Sequence, residues 1–533
     1  MKTAVNWQEK YIELEASSAQ RIAELEASFS SATKEFETRI AQLEALNRYY
    51  EEQFRLAKRR QYGPSSEKSD HWEQLGLFDE AENTANFKKA EELEKITYER
   101  PKRTSKIKGD LLDAPVDTVE HMLPEEERVC PTCGGALHTL STEEICHVEI
   151  IPARVMLKRH LRHVYACRGC EKTREHPTII RTSMPEPVIK GSLASPSAIA
   201  HIATQKYVNA VPLYRQEQEF LRQGLSLSRQ TMANWLIKSS QDWLEPMYER
   251  MRKMLLAEDI LHGDDSSLQV LREPGKKASS ESYMWLYRTG RYAKHPIVLY
   301  EYQPTRSSSH PKKFLKEFEG YLHTDGYAGY HKLEPETTVI GCWAHLRRRL
   351  DEALKALPEK DRPNAAAQQG FQQCNHLFSL ENKWKDLSPE ERHKKRQEEA
   401  QPLAEAFFRW ANSVHALPKS ALGKALNYAL EQKPWLMNVY LDGRLELSNN
   451  RAERSIRPFV IGRKNWLFSS SQKGAKSSSV IYSIIETAKE NGLKPFEYLE
   501  YLFTMMPNTT TAAIDSLLPW AENLPHHIKA GKS

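Results

Sequence analysis

The sequence has few cysteines and no long apolar run. Seven cysteines in 533 residues suit thiols or metal ligands better than the disulfide framework of a secreted domain. No stretch approaches the ~20 consecutive apolar residues that span a bilayer, and the first residues lack the apolar core of a signal peptide. We therefore expect a cytoplasmic protein without a membrane partner.

An excess of one charge is also missing. The chain has 76 Lys and Arg against 71 Asp and Glu, a net charge of +5. This balance neither requires nor excludes a nucleic-acid partner, because local clusters decide such binding. A chain of 533 residues is too long for one hydrophobic core, so we expect two to four domains.

The first 62 residues carry a seven-residue apolar repeat. Two positions of the repeat form an apolar seam along the helix, and the first of them holds Ile22, Phe29, Phe36, Leu43 and Tyr50. The second seam position, three residues later, holds Leu25, Ala32 and Leu46, and Arg39 interrupts it. The repeat predicts a left-handed, leucine-zipper-like coiled coil over 1–62. A single amphipathic helix lying on the protein's own body fits the same pattern.

Two Cys-x-x-Cys pairs follow a polar segment, 63–114, that we interpret as a linker. The pairs are Cys130 with Cys133 and Cys167 with Cys170. Thiolates two residues apart can reach one ion, and two pairs complete a tetrahedral site. We predict one structural Zn²⁺ in a module over 115–185; unligated thiols or one redox pair are the alternatives. Between the pairs, His147 to Tyr165 alternates β-formers with basic residues, which predicts a hairpin with a basic face.

The other three cysteines, Cys146, Cys342 and Cys374, lack partners at ligand spacing. We expect them to be small core residues.

Residues 186–250 are predicted to be helical. A turn at Gly224 leads to Ser228, a candidate N-cap. The helix after it begins with polar residues, among them Arg229, Gln230 and Asn234. Helix, glycine turn and polar helix start form the helix-turn-helix pattern, so these three residues are candidate DNA contacts. An ordinary helical hairpin fits equally.

Near residue 255 the pattern changes to strands mixed with helices. The strand candidates are Asp259–Gly263, Tyr283–Arg288, Ile297–Tyr302, Tyr321–Thr324 and Thr338–Cys342, with helices near Pro311–Phe318 and from Trp343 onward. This order predicts a mixed sheet covered by helices over 251–358 and 441–507. Residues 359–440 have a helical pattern with a capping box at Ser388, so we interpret them as an inserted helical subdomain, and 508–533 as a C-terminal tail.

Three carboxylates occupy positions where a metal site could form. Asp264 and Asp325 each follow a short apolar run, and Glu453 follows Ser448, a candidate helix cap. Acidic side chains at strand ends, joined by one from a helix, can converge on Mg²⁺, which takes oxygen ligands. Each residue also has an ordinary explanation, namely a turn at each aspartate and an ion pair of Glu453 with Arg457.

Longer motifs link these carboxylates. They are Lys58–Arg60 before Ser65–Lys68, His262–Ser266, Ser282–Trp285, Thr324–Tyr330, Gly341–Arg348, Asn449–Pro458 and Ile461–Trp466. With the zipper and the Cys pairs, they resemble the insertion-sequence-66 family of bacterial transposases over nearly the full length. One motif departs from the family pattern, with Gly263, Asp265 and Ser266 where Ala, Glu and Thr are more frequent.

The resemblance implies a multidomain fold: an N-terminal coiled coil, a small Cys₄ zinc module, a helical DNA-binding region, and an α/β ribonuclease-H-like catalytic domain with a helical insertion. It implies that Asp264, Asp325 and Glu453 bind two Mg²⁺ (or Mn²⁺) at the catalytic site. Asp265 and Glu446 are lower-ranked alternatives.

The implied reaction is metal-dependent cleavage and strand transfer of DNA. A nuclease of the same fold without strand transfer, or a decayed DNA-binding protein, are the competing functions. The implied partners are the terminal repeats, target DNA, further copies of the chain in a homodimer or higher oligomer, and small accessory proteins of the same element. The implied location is the nucleoid of a bacterium.

Candidate DNA contacts follow the glutamate, namely Arg454, Arg457, Arg463, Lys464 and Trp466; ion pairs on a helix surface are the alternative.

Overall fold

The computed structural model describes residues 7–62, 154–166, 179–509 and 511–530. The predicted linker 63–114 lies outside the described residues, as do all four candidate zinc ligands and Cys146. The chain forms two compact units. We call residues 1–92, 321–331 and 337–451 the helical unit, and residues 93–320, 332–336 and 452–533 the sheet unit.

The described residues form eight strands. In chain order these are β1 Val164–Ala166, β2 Ile179–Arg181, β3 Ile260–Arg272, β4 Glu281–Thr289, β5 Val298–Gln303, β6 Gly320–Thr324, β7 Thr337–Gly341 and β8 Phe468–Ser471. All five strands predicted between residues 259 and 342 are confirmed, with bounds that shift by a few residues at most except at the end of β3.

The α-helices of the described residues are α1 Trp7–Tyr62, α2 Pro196–Tyr207, α3 Leu213–Arg222, α4 Arg229–Ser239, α5 Glu245–Leu256, α6 Ser309–Phe314, α7 Trp343–Ala356, α8 Ala366–Lys383, α9 Pro389–Lys395, α10 Gln401–Ser413, α11 Ala421–Met437, α12 Asn450–Trp466, α13 Gln472–Glu490 and α14 Pro495–Met505. π-Helical turns cover Ser240–Leu244 and Arg396–Ala400. Short 3₁₀ helices cover Tyr330–Lys332, Glu359–Asp361, Asn438–Leu441, Met506–Asn508, Thr511–Leu517 and His526–Ile528. Among the described helices, none combines the length and apolar character that a membrane crossing requires.

The sheet unit is built on three antiparallel strands. β4 pairs on one side with β3 and on the other with β5, and its residues from Met284 to Thr289 are all buried. Such a continuous apolar run is expected of a strand covered on both faces. The short β8 runs parallel to the far end of β3, where Gln269 is opposite Phe468.

Helix α13 covers the outer strand β5. The Ser483 hydroxyl accepts the Tyr300 backbone N–H at 2.7 Å, and the Thr487 hydroxyl accepts the Val298 N–H at 3.0 Å. A strand at the end of a sheet has backbone groups without a ladder partner. Side chains of α13 replace that ladder, which holds the helix against the sheet.

The predicted helix-turn-helix segment folds as two helices around a glycine turn. Gly224 has φ +82°, a conformation that favours glycine. Ser228 caps α4 by accepting the Thr231 N–H at 3.1 Å, as predicted. Apolar side chains of α4, such as Met232 and Trp235, are buried, so the opposite face of the helix points to solvent.

The helical unit holds β6, β7 and helices α7 to α11. From Trp343 to Leu441 every regular element is a helix, as the pattern predicted. The capping box at Ser388 is confirmed, with both of its reciprocal bonds present. Cys342 and Cys374 are buried, and burial raises the pKa of the Cys374 thiol to about 12, which fits the predicted core role.

Near its C-terminal end, helix α1 contacts α7 and α11 within the helical unit. The Glu52 carboxylate accepts the backbone N–H of Ala421, the first residue of α11, and α1 packs on α7. The heptad residues Ile22, Phe29 and Phe36 are 56–76% exposed. The N-terminal part of the seam therefore does not lie on the protein's own body within the described residues.

Three local expectations are wrong. The predicted hairpin has no strand over the described residues 154–163; instead β1 pairs antiparallel with β2. β3 does not end before Asp264 but continues to Arg272, because the polar residues after Gly263 still pair with β4. Helix α12 begins at Asn450, so the residue before its first turn is Asn449 rather than Ser448.

Candidate active site

Asp264 lies within β3, opposite Leu286 of β4. Its side chain is half-buried, and its Oδ1 accepts the backbone N–H of Asp265 at 2.8 Å. This bond from the next amide in the chain restrains the rotamer of the Asp264 side chain.

Asp265, the lower-ranked alternative, is held by an arginine. The Arg306 Nη2 donates to the Asp265 Oδ1 at 3.0 Å. The Arg306 Nε lies 3.0 Å from the Asp265 Oδ2. The Asp265 side chain is only 3% exposed. Successive residues of a strand point to opposite faces, so Asp264 and Asp265 have different surroundings. The Arg306 guanidinium offsets the charge of Asp265, which weakens this carboxylate as a metal ligand.

Asp325 follows β6 and closes a tight turn. Its Oδ1 accepts the Tyr327 N–H at 2.9 Å, and its backbone carbonyl accepts the Tyr428 hydroxyl at 3.2 Å. The next residue, Gly326, has φ +89°, and a Cβ there would lie 2.8 Å from the Tyr428 hydroxyl. The turn explanation of this Asp-Gly pair is therefore correct, and it also fixes where the carboxylate lies.

Glu453 lies in the first turn of α12 and is 5% exposed. A carboxylate near a helix N-terminus is favoured by the helix dipole, but burial of its charge still needs compensation by cations or donors. Glu446, its alternative, lies in the loop before α12 and pairs with Arg451 at 3.1 Å. As at Asp265, an arginine holds the lower-ranked carboxylate.

The candidate DNA contacts fall into two sets. Arg229, Gln230 and Asn234 are exposed on α4, where Gln230 donates to Asn234 at 3.0 Å. On α12, Arg454 and Lys464 are exposed, and Arg457, Arg463 and Trp466 are half-buried. The exposed members can reach a phosphate without rearrangement of the fold.

Arg463 connects α12 to β3. Its Nη1 donates to the hydroxyls of Ser266 and Ser267 at 3.1 and 3.2 Å, just beyond Asp264 on the same strand. Trp466, in contrast, packs against Phe459 with ring centroids 5.7 Å apart. The indole predicted to stack on a base is thus partly used in the protein's own packing.

Two residues near these carboxylates were missed by the sequence reasoning. Arg306 lies far from Asp265 along the chain, and no local pattern indicates their pairing. Leu467 directly follows α12 with φ +64° and a 63% exposed side chain. A left-handed backbone conformation costs a residue with a Cβ roughly 1–2 kcal/mol, so glycine is usual at the position after a helix. A leucine at that position was the signal in the sequence that could have pointed to this residue.

A buried carboxyl group, also missed, lies on β5. Burial raises the pKa of Glu301 from 4.5 to about 7, although Arg252 and Lys313 act in the opposite direction. Gln303 donates to its Oε1 at 2.8 Å. Perturbed carboxyl groups often mark functional sites, but Glu301 lies on a different strand from Asp264.

Chemically, the described carboxylates offer oxygen ligands of the kind that Mg²⁺ and Mn²⁺ prefer. Asp264 and Glu453 belong to the sheet unit and Asp325 to the helical unit. The arginine and lysine side chains of α12 provide cations suited to a polyanion. The residues therefore fit a metal-assisted reaction on a phosphodiester.

Comparison with known families gives matches along most of the chain. The family described as "Transposase IS66 family" matches residues 191–477, and the "IS66 C-terminal element" matches 483–520. The "zinc-finger binding domain of transposase IS66" matches 127–171, a range that includes all four candidate zinc ligands. Residues 49–114 match "Transposase C of IS166 homeodomain".

Individual relatives cover most of the chain. Uncharacterized protein y4qI of Sinorhizobium fredii (strain NBRC 101917 / NGR234) is 27% identical over 526 residues, which are 95% of this chain and 92% of the relative. Uncharacterized protein y4jD of the same organism is 28% identical over 419 residues, 75% and 79% of the two chains. The first family match alone spans more than half of the 533 residues. The chain therefore belongs to the IS66 family of transposases.

Proposed function

We propose that the protein cleaves DNA at the ends of its insertion sequence and joins the exposed 3′-hydroxyls to target DNA, using Asp264, Asp325 and Glu453. The observation that carries this assignment is the pairing of the two rival carboxylates. Arg306 holds Asp265 and Arg451 holds Glu446, so each rival carboxylate is already committed to an arginine.

The proposed catalytic fold is ribonuclease-H-like, formed by 251–358 and 441–507, with 359–440 as a helical insertion and 508–533 as a tail. Its support is the antiparallel succession β3, β4, β5, followed along the chain by α6, β6, β7 and then helices alone up to Leu441. An insertion between β7 and α12 would lengthen the chain between Asp325 and Glu453 without altering the strands.

The three carboxylates would hold two Mg²⁺ or Mn²⁺. When bound, such a pair activates the attacking oxygen and stabilises the leaving oxygen of an in-line displacement at phosphorus. The Asp265 amide fixes the Asp264 rotamer, and the turn at Gly326 fixes Asp325. Glu453, on a helix rather than a loop, is positioned by a rigid element. No covalent intermediate with the protein is required, because water and a 3′-hydroxyl serve as successive nucleophiles.

The remaining parts of the chain would bind DNA and further protein. We assign Arg229, Gln230 and Asn234 of α4 to a helix-turn-helix contact, and Arg454, Arg457, Arg463 and Lys464 of α12 to phosphates near the cut, with Trp466 beside a base. The Cys₄ module over 115–185 would hold one structural Zn²⁺. The exposed seam of α1 suits a second copy of the chain, because two DNA ends must be bridged, and small accessory proteins of the element are further candidates.

The test compares Glu453→Gln with Glu446→Gln. Each substitution removes one carboxylate charge and keeps the side-chain shape. The substrate is duplex DNA that carries the end of the element, with Mg²⁺, and pre-cut ends are supplied separately for joining. We expect Glu453→Gln to lose at least ~100-fold in both reactions, with end binding retained, and Glu446→Gln to stay near wild type.

Three results would contradict the proposal. Equal cleavage by Glu453→Gln and wild type would refute the catalytic assignment. Cleavage by wild type without joining of pre-cut ends would favour a nuclease. Binding of the ends by wild type without any Mg²⁺-dependent cleavage would favour a DNA-binding regulator.

A further inference from the structure

A groove of about 400 Å³ opens on the sheet unit along β3, the strand that carries Asp264. One wall is β3 and the turn into β4, with Ser267, Gln269 and Ser280; the other is the end of α12, with Arg463, Lys464 and Leu467. Its volume lies within the ~300–1,000 Å³ typical of small-molecule sites. A group the size of a nucleoside can therefore enter it.

The lining suits a base with its sugar and phosphate. The Gln269 amide nitrogen donates to the Ala278 carbonyl at 2.9 Å, but its oxygen and the serine hydroxyls can bond to the edges of a base. The two cations can bond to phosphate oxygens. Glu281 also lines the groove, but its carboxylate accepts the Tyr283 hydroxyl at 3.1 Å. The cations outnumber this carboxylate, so the groove favours an anionic ligand.

Leu467 presents an apolar side chain at the rim. It is 63% exposed, and Phe468 after it is 40% exposed. The left-handed backbone at Leu467 occupies the position after a helix where glycine is usual. Apolar side chains flanked by cations can insert between base pairs and take the place of a stacked neighbour. The strained leucine thus has the chemistry of a wedge.

The groove lies on the same strand as Asp264. Ser267 is three residues further along β3, a distance of about 10 Å at the rise of a strand. Arg463 bonds to Ser266 and Ser267, which fixes the far wall of the groove relative to that strand. Ser267 and Gln269 lie on the strand face opposite to Asp264, whereas Ser266 lies on the same face as Asp264. Because Arg463 bonds to Ser266 as well as to Ser267, it links the groove to the face that carries Asp264.

We propose that this groove receives one unpaired nucleotide of the bound DNA, with Leu467 filling the gap that the nucleotide leaves in the stack. Arg463 and Lys464 hold its phosphates, and the polar side chains of β3 and the turn contact its base. Removal of a base from the stack is a recognised way for proteins to act on DNA. This inference rests on the proposed function, since it requires that the chain bind element ends or target DNA.

The test places 2-aminopurine, whose fluorescence rises when it is unstacked, at successive positions across the boundary between element and flank. A second duplex carries the label in target DNA, so that the two sources of the nucleotide are distinguished. Binding is followed by anisotropy in Ca²⁺ to prevent cleavage. We expect a several-fold rise at one position with wild type and with Leu193→Ala, a matched exposed leucine (78% exposed) outside the groove.

Leu467→Gly is the decisive variant, because glycine suits the local backbone and the fold should be retained. We expect its fluorescence to stay at that of the free duplex while its affinity changes by less than about 3-fold. If Leu467→Gly gives a fluorescence rise as large as that of wild type, the wedge role of Leu467 is refuted. If wild type binds DNA but no label position in either duplex shows a fluorescence rise, the proposal that the groove receives a nucleotide is refuted, while the proposed function stands. A failure of wild type to bind either duplex would overturn the proposed function as well.

Discussion

Arg288 in the sheet unit and Arg396 in the helical unit are both almost completely buried, but the two arginines bond to different partners. In the sheet unit Arg288, 3% exposed, donates from β4 to both carboxylate oxygens of Glu490 on α13 at 3.0–3.1 Å. It also donates to the Ser455 hydroxyl on α12. One guanidinium thus connects a strand to two helices by their side chains.

In the helical unit Arg396, 1% exposed, pairs with both oxygens of Glu381 on α8 at 2.6 and 2.7 Å. Its remaining N–H groups donate to backbone carbonyls of Val439, Asp442 and Leu445. These carbonyls belong to the segment between α11 and α12. The guanidinium therefore connects a side chain of α8 to backbone carbonyls of this segment.

The difference reflects how each unit satisfies its buried backbone groups. In the sheet unit, strand pairing and the hydroxyls of α13 satisfy them. Residues 442–449 of the helical unit contain no helix or strand, so their carbonyls need donors from side chains. Arg392 adds a bond to the Gly443 carbonyl. This segment leads into α12, which begins at Asn450.

The comparison predicts that Arg396 is the more costly arginine to remove. Arg396→Met leaves Glu381 and three carbonyls without their donor, and breaking a buried pair costs about 3–5 kcal/mol. Urea unfolding should show this loss, with cleavage of element ends reduced as well. Lys394→Met, at a side chain 78% exposed, is the control and should change the free energy of unfolding by less than ~0.5 kcal/mol. A loss equally small for Arg396→Met would refute the role of this arginine.

Arg288→Met should cost less, about 2–3 kcal/mol. Its partner Glu490 is 37% exposed, so water can solvate the carboxylate once the arginine is gone. The exposed Arg291 on the loop after β4 provides the control Arg291→Met. A greater loss of unfolding free energy at Arg288 than at Arg396 would reverse the comparison between the units.

Glu301 should make the sheet unit less stable as pH rises. Its folded pKa of about 7 lies above the ordinary 4.5 because of burial. Between these values the unfolded chain releases the proton first, so stability is highest below pH 4.5 and falls until the folded group ionises near pH 7. Glu301→Gln should remove about 2 kcal/mol of this loss between pH 5 and 8, as measured by urea midpoints. An unchanged pH slope in the variant would show that the carboxyl group is not responsible.

Sequence patterns predicted the elements but not the pairings between distant ones. Local strand patterns located β4 and β5, and the cap at Ser228 located α4, because these signals are local. The end of β3 was missed, since Asp264 to Ser267 are polar and remain in the strand only through pairing with β4. The same limit applies to the candidate site.

Resemblance to a family selected Asp264 and Glu453, and no pattern could show that arginines hold their neighbours. Arg306 lies 41 residues from Asp265, and such a pair is defined only once the chain folds. Arg451 lies five residues from Glu446, outside the helix spacing that a periodic pattern would reveal. The pairings that distinguish the carboxylates are tertiary contacts.

The smallest expected effect concerns the hydroxyls that replace a strand ladder at β5. Thr487 both accepts the Val298 N–H and donates to the Val298 carbonyl, each at 3.0 Å. Thr487→Val keeps the shape and leaves both backbone groups unpaired, which should cost about 1–2 kcal/mol and speed hydrogen exchange of the Val298 amide. Thr504→Val on the exposed part of α14, where the hydroxyl bonds only to the Glu500 carbonyl, should have no such effect. If hydrogen exchange of the Val298 amide is unchanged in Thr487→Val, the edge of the sheet does not depend on α13. Side-chain hydrogen bonds to backbone groups would then matter less in the sheet unit than the hydrogen bonds between strands.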